Sequence, residues 1–170
     1  MYFIVLSGDI MKLNISDERK ELIIALLIPL SLGFLSFLLT RGGISEYTNT
    51  LIKPSFAPPS FLFSIVWTIL YTLMGISSYI IYNSMSCHKG TCLLLYGLNL
   101  FLNFLWPIIF FNLQLRLFAF IFIILLDIVV LLMIICFYGI DKKAAYLQIP
   151  YFVWLLFASV LNFSVYFLNR

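Results

Sequence analysis

Charged residues are scarce in this sequence. Ten Lys or Arg and seven Asp or Glu make up 10% of its 170 residues, whereas soluble domains carry about 25%. So few charges cannot cover a water-facing surface, which excludes an ordinary soluble domain. The net charge of +3 comes with no basic run that could follow a phosphate backbone, so a nucleic-acid partner is not expected.

Groups that carry catalysis or bind metals are equally few. The single histidine, His88, lies between two apolar stretches. A Ser-His-Asp or Cys-His arrangement within a helical bundle is therefore not expected. No glycine-rich phosphate loop occurs either. We predict no catalytic residues and no metal site.

Three cysteines, Cys87, Cys92 and Cys136, are too few for a fully paired disulfide framework. Cys87, His88 and Cys92 together supply at most three metal ligands. A Cys87–Cys92 disulfide would require that the connection faces an oxidising compartment. The sequence favours free thiols, and the other two interpretations stay open.

Apolar residues are abundant, at 64% of the chain, and they form five stretches. Each stretch has about 19–23 residues, the length that crosses a hydrocarbon core of about 30 Å as a helix. Every charged residue except Asp127 lies outside them. We therefore predict an all-α integral membrane bundle over residues 22–170, after an N-terminal tail over 1–21. The predicted transmembrane helices are about 22–40, 60–82, 92–111, 117–138 and 146–168.

The first connection is the long one, over residues 41–59. Its three prolines fix the backbone φ angle and remove N–H donors, which stiffens the segment. A long, stiff loop over a bundle is a candidate lid. The predicted lid residues are Lys53, Pro54, Phe56, Pro58 and Pro59.

Polar and aromatic residues recur on one face of three predicted helices. They are Trp67 and Tyr71 on the second helix, Asn103 and Trp106 on the third, and Trp154, Ala158 and Asn162 on the fifth. Most of them lie about 8–15 Å below the long loop at 1.5 Å per residue. Amide side chains facing lipid would lack partners, so these faces should point inward. Two interpretations remain: contacts that hold helices together, and a ligand cavity.

Asp127 is the one ionisable residue predicted at membrane depth. It could bind a cation or relay protons. It could instead be a structural residue paired with a buried Tyr, Ser or Asn. A second charge within the membrane is lacking, so we favour the structural role.

Four segments carry a resemblance that covers about residues 43–170. They are Lys53-Pro54-Ser55-Phe56-Ala57-Pro58-Pro59, then Val66-Trp67 through Gly75, then Asn99-x3-Asn103-x2-Trp106-Pro107-x2-Phe110-Phe111, and finally Pro150-Tyr151-x2-Trp154-x2-Phe157-Ala158-x2-Leu161-Asn162. In this order and spacing they resemble the translocator protein family. That family is also called TspO/MBR, tryptophan-rich sensory protein or peripheral-type benzodiazepine receptor.

The resemblance implies a five-helix fold, a homodimer, and a cavity closed by the first loop. It implies binding of porphyrins such as protoporphyrin IX and haem as ligands, with no obligatory cofactor. The family's pocket positions correspond to Trp67, Asn103, Trp106 or Pro107, Trp154 and Ala158. We therefore predict a membrane receptor or carrier for porphyrin-like tetrapyrroles and related apolar ligands. Membrane lipid is a further expected partner. The location implied is the cell membrane of a bacterium or the outer mitochondrial membrane of a eukaryote.

Two alternatives follow from the same resemblance. The first is light- and oxygen-dependent porphyrin degradation, although Phe56 and Glu46 stand where the family often has tryptophan. The second is transport of a sterol or another small molecule. The pattern Leu161-x4-Tyr166-x3-Arg170 fits a proposed cholesterol motif, but such patterns arise easily in apolar chains.

Overall fold

The computed structural model describes the backbone from Tyr2 to Arg170 and the side chains from Asp17 onward. Over these residues the chain forms five α-helices and one π-helical turn. The helices are α1 (Tyr2–Thr50), α2 (Ser60–Tyr82), α3 (Lys89–Pro107), α4 (Arg116–Tyr138) and α5 (Lys142–Leu168), and the π-helical turn is Ile108–Asn112.

Each of the five helices in the described part is long and apolar enough to cross a membrane. Their outward faces carry large apolar side chains such as Phe34, Phe61 and Leu94, all more than half exposed. An apolar outer surface of this kind suits lipid rather than water. Helices can span the hydrocarbon layer because their backbone N–H and C=O groups are hydrogen-bonded within the helix. The predicted all-α bundle of five transmembrane helices is confirmed.

The predicted loop over 41–59 is wrong in its first half. Helix α1 continues to Thr50, and only residues 51–59, here called the link, lie outside helices. Helix α1 continues through Gly42 and Gly43, and the first proline after them is Pro54 in the link. A Cβ at Gly43 would overlap the Phe111 carbonyl, so glycine there lets α1 contact the end of α3 closely. The predicted tail over 1–21 is helical from Tyr2, and its side chains before Asp17 lie outside the described residues.

The third helix changes geometry at Pro107. Proline lacks the N–H that an α-helix requires, and the π-helical turn follows it directly. Gln114 then takes a positive φ of 55° in the short connection to α4. Asn112 donates from Nδ2 to the Leu39 carbonyl at 2.9 Å, which attaches this end of α3 to α1.

The helices pack in a ring in the order α1, α2, α5, α4, α3. The link, the start of α2, the π-helical turn, the start of α4 and the end of α5 share one end of the bundle, which we call the link end. Polar contacts join neighbouring helices across the core. Ser77 donates to the Ala144 carbonyl at 2.7 Å between α2 and α5. Ser159 donates to Asp127 Oδ2 at 2.7 Å between α5 and α4. Ser159 is the kind of buried hydroxyl partner that the structural interpretation of Asp127 expects, and Asp127 Oδ1 has no partner among the described residues.

A disulfide joins Cys92 of α3 to Cys136 of α4 at the end of the bundle opposite the link. The suggested Cys87–Cys92 disulfide is therefore wrong, as is a metal site that would need Cys92 as a ligand. The expectation of free thiols is likewise wrong for Cys92 and Cys136. Cys87 is free and exposed. Antiparallel helices place residues near the start of one beside residues near the end of the next, which is why these two meet.

Candidate ligand site beneath the link

A chain of hydrogen bonds connects three helices at the centre of the bundle. Tyr71 of α2 donates to Asn103 Oδ1 at 3.2 Å. Asn103 Nδ2 donates to the Tyr151 hydroxyl of α5 at 2.8 Å, and that hydroxyl donates to Asn99 Oδ1 at 2.7 Å. Asn99, Asn103 and Tyr151 are all buried. Both polar atoms of the Asn103 amide are occupied by tyrosines, so Asn103 positions helices in this arrangement.

Aromatic rings lie on top of this network. The Trp67 ring stacks on Tyr71 with centroids 5.2 Å apart, and it contacts Tyr151 at 6.1 Å. A Cβ at Gly33 would overlap the Tyr71 ring, so the glycine of α1 makes room for that ring. Trp67 is half-buried and lies near the start of α2. Its ring is supported by the rings of Tyr71 and Tyr151.

Trp154 of α5 belongs to a second set of rings that reaches the link. Its ring lies 5.7 Å from Phe63 of α2 and 5.4 Å from Phe157, centroid to centroid. Phe157 in turn contacts Phe56 of the link at 6.2 Å. The Trp154 Nε1 atom is buried and has no hydrogen-bond partner among the described residues. An unpaired indole N–H among aromatic faces is a donor available to a ligand.

The link is fastened to the end of α5 by a pair of hydrogen bonds. Asn169 Oδ1 accepts from the Ile52 N–H and Asn169 Nδ2 donates to the Ile52 carbonyl, each at 2.9 Å. Lys53 donates to the Thr48 carbonyl at 2.8 Å, and its ammonium lies over the Tyr47 ring. These contacts hold the link across the bundle so that Phe56 covers the rings of α5. Of the predicted lid residues, Phe56 contacts the Trp154 set through Phe157, whereas Lys53 contacts Thr48 and Tyr47 of α1.

Trp106 and Asn162 form a separate group between α3, α4 and α5. Trp106 Nε1 donates to the Ala119 carbonyl at 3.1 Å and to Asn162 Oδ1 at 3.3 Å. The Trp106 ring stacks on Phe110 with centroids 5.2 Å apart. Asn162 Nδ2 donates to the Arg116 carbonyl at 2.9 Å. The polar atoms of this pair are thus used in joining helices, and Pro107 beside them is the last residue of α3 before the π-helical turn.

Comparison with known proteins decides the family. Residues 25–168 match the family model described as TspO/MBR family. The chain belongs to the TspO/MBR family. The resemblance carried by the four sequence segments is confirmed over most of the chain.

Relatives within the TspO/MBR family come from all three domains of life. The chain is 40% identical over 149 residues to the tryptophan-rich protein TspO of Archaeoglobus fulgidus, covering 88% of this chain and 97% of that protein. It is 37% identical over 156 residues to the tryptophan-rich protein TspO of Chlorobaculum tepidum, covering 89% of this chain and 99% of that protein. It is 32% identical over 143 residues to the translocator protein of Sus scrofa, covering 82% and 85%. Membership makes the chain a multi-pass integral membrane protein and supports a general translocator or receptor role.

The three residues of the sterol pattern do not share a surface in this TspO/MBR protein. Leu161 is buried against Ile109 and Ala119 in the core. Tyr166 and Arg170 instead line a cleft of about 500 Å³ on the outer face of α4 and α5. Ala158, a predicted pocket residue, is buried in the core beside Leu155.

Sequence reasoning left four residues out of the predicted site. Tyr151 and Asn99 complete the hydrogen-bond network, and Phe63 and Phe157 flank Trp154. A signal for them exists, since Asn99 precedes Asn103 by one helical turn and Phe63 precedes Trp67 by the same interval. The second set of rings could be found by asking which aromatics share a face with each tryptophan.

Proposed function

We propose that this protein is a membrane receptor or carrier for a flat, apolar tetrapyrrole such as protoporphyrin IX or haem. The ligand binds between α2 and α5 beneath the link, with its macrocycle against Trp154 and Trp67. The observation that carries the proposal is the buried, unpaired Trp154 Nε1 atom among the rings of Phe63 and Phe157. Stacking on aromatic faces and one free donor suit a large π-system with few polar atoms.

The composition of the site favours binding over chemistry. Its side chains are Trp, Tyr, Phe and Asn. Except for Asn99 Nδ2, which has no partner among the described residues, the Tyr and Asn polar atoms bond to one another. His88, the one histidine, lies at the opposite end of the bundle before α3. A receptor or carrier therefore matches these side chains better than an enzyme does. The homodimer and the particular membrane stay predictions.

Ligand entry requires the link to move, because the rings of Phe56, Phe157, Trp154 and Phe63 contact one another in series. The prolines make the second half of the link stiff, so it moves as a unit about its two ends. The Asn169–Ile52 hydrogen bonds fix one end, and α2 fixes the other. Displacing Phe56 from Phe157 would open the Trp154 face toward the link end.

Replacing Trp154 by Phe should weaken protoporphyrin IX binding about 3- to 10-fold. The change keeps an aromatic ring but removes the N–H, and one hydrogen bond is worth about 0.5–1.5 kcal/mol. The dissociation constant is measured in detergent from the shift of the porphyrin Soret band, which does not depend on tryptophan fluorescence.

The matched control is Trp106→Phe, whose N–H is already bonded to Ala119 and Asn162. We expect it to lower the melting temperature and leave the dissociation constant within about twofold, since its lost bond joins helices. Equal weakening by both variants, or unchanged binding in Trp154→Phe, would contradict the proposed location.

A further inference from the structure

A cleft on the outer face of the bundle lies apart from the aromatic site. It has a volume of about 500 Å³ and is formed where α4 begins and α5 ends, at the link end. Ligand pockets in proteins typically measure about 300–1,000 Å³. Residues that decide its character are Arg116, Arg170, Asn169, Tyr166, Phe118 and Ile121.

The cleft is cationic. Arg116 and Arg170 line it, and none of its lining residues is acidic. Within residues 17–170, the ion pair found is Lys20–Asp17, so neither arginine has an acidic partner there. The Arg116 Nε atom is buried without a hydrogen-bond partner in the same region. The Arg170 guanidinium lies 4.1 Å from the centre of the Phe167 ring.

Glu46 is an acidic residue that lies close to Arg116 without forming an ion pair with it among the described residues. Glu46 and Arg116 both border a second hollow of about 10 Å³, which is room for one water at most. The Glu46 carboxylate accepts from Gln114 Nε2 at 2.8 Å. Arg116 is half-buried and Arg170 is exposed. Two guanidinium groups without acidic partners suit an anion that accepts several hydrogen bonds.

The layout of the cleft follows the membrane normal. Arg116 is the first residue of α4, and Arg170 lies two residues beyond Leu168, the last residue of α5. Both therefore stand at the level where a bundle of this kind meets the lipid headgroups. Ile121 lies five residues further along α4, about 7.5 Å deeper, and Phe118 and Ile121 are both exposed apolar side chains. The charged part lies at the surface and the apolar part extends toward the membrane centre.

We propose that this cleft binds an acidic phospholipid. The guanidinium groups of Arg116 and Arg170 hold the phosphate, and the first methylenes of an acyl chain lie along Phe118 and Ile121. A free inorganic anion would leave the apolar half of the cleft unused, and a zwitterionic lipid would bring its own cation beside two arginines. Asn169 is already bonded to Ile52, so a lipid held here would also lie against the residue that fastens the link.

The test is native mass spectrometry of the detergent-solubilised full chain. Phosphatidylglycerol and phosphatidylcholine with the same acyl chains are added in equal amounts, and the lipid retained on the protein is counted. We expect at least about tenfold more phosphatidylglycerol than phosphatidylcholine, and a fall toward equal retention in Arg116→Gln and in Arg170→Gln.

The matched control is Arg41→Gln, which removes the same charge from α1 and does not line the cleft. We expect it to keep the preference. If Arg116→Gln lowers the melting temperature of the protein, Arg170→Gln still tests the lipid preference. Arg170 follows the last helix and bonds no other helix among the described residues, so replacing it should not unfold the bundle. Equal retention of both lipids, an equal loss in Arg41→Gln, or displacement of the lipid by millimolar inorganic phosphate would each overturn the proposal.

Discussion

Replacing Cys136 by Ser should lower the free energy of unfolding by about 2–4 kcal/mol, the usual contribution of a disulfide. The Cys92–Cys136 bond links residues 44 apart in sequence. It therefore restricts the unfolded chain considerably more than a short loop would. It also joins α3 to α4 where neither the link nor the π-helical turn holds them. The melting temperature of the variant, followed by circular dichroism in detergent, measures this effect.

Cys87→Ser is the control for this variant, because Cys87 is exposed and free and its loss should leave the melting temperature unchanged. A maleimide label counts the thiols independently. The unfolded, unreduced protein should take up one label and the reduced protein three. Three labels without reduction would show that the disulfide is absent.

Replacing Gly75 by Ala should lower the free energy of unfolding by about 1–3 kcal/mol, the usual cost of overpacking. A Cβ at this position of α2 would lie 2.7 Å from the Ala25 carbonyl oxygen and 2.9 Å from the Leu26 Cα of α1. Both are backbone atoms, so the clash cannot be relieved by rotating a side chain. The two helices must move apart instead. Small residues at such crossings are what allow helices to pack closely in a membrane.

Gly97→Ala is the matched control, because Gly97 lies inside α3 and a Cβ there meets nothing within 4 Å. Alanine in an open helical position should raise stability by about 0.5–1 kcal/mol relative to glycine. Chemical unfolding of both variants in the same detergent gives the comparison. A Gly75→Ala protein as stable as the unchanged chain would mean that α1 and α2 do not pack as the structure has them.

Most of the fold could be predicted because the solvent dictates it. Stretches of the right length without charge must be helical in lipid, and the predicted bounds of the second helix, 60–82, agree with α2 (Ser60–Tyr82). The end of α1 could not be predicted, because the uncharged stretch stops before Arg41 and glycines such as Gly42 and Gly43 usually weaken a helix. Here glycine is required inside a helix by the approach of the Phe111 carbonyl, which a single sequence does not reveal.

The candidate site was predicted less completely because direction around a helix matters as much as depth. Trp106 follows Asn103 by three residues, a rotation of about 300°. That leaves it about 60° away from the amide. This angle carries Trp106 into the gap between α4 and α5, while Asn103 faces Tyr71 and Tyr151. Which gap a residue enters depends on the order of helices in the ring. The spacing of residues along a single helix does not give that order.

The most direct test of tetrapyrrole binding beneath the link is fluorine NMR of protein labelled with 5-fluorotryptophan. The chain has three tryptophans, so three resonances can be assigned from single Trp→Phe variants and followed as protoporphyrin IX is added. The ring current of a macrocycle acts over a short distance. We expect the Trp154 and Trp67 resonances to shift to saturation while that of Trp106 stays in place. A shift confined to Trp106, or three unmoved resonances at saturating porphyrin, would contradict the account.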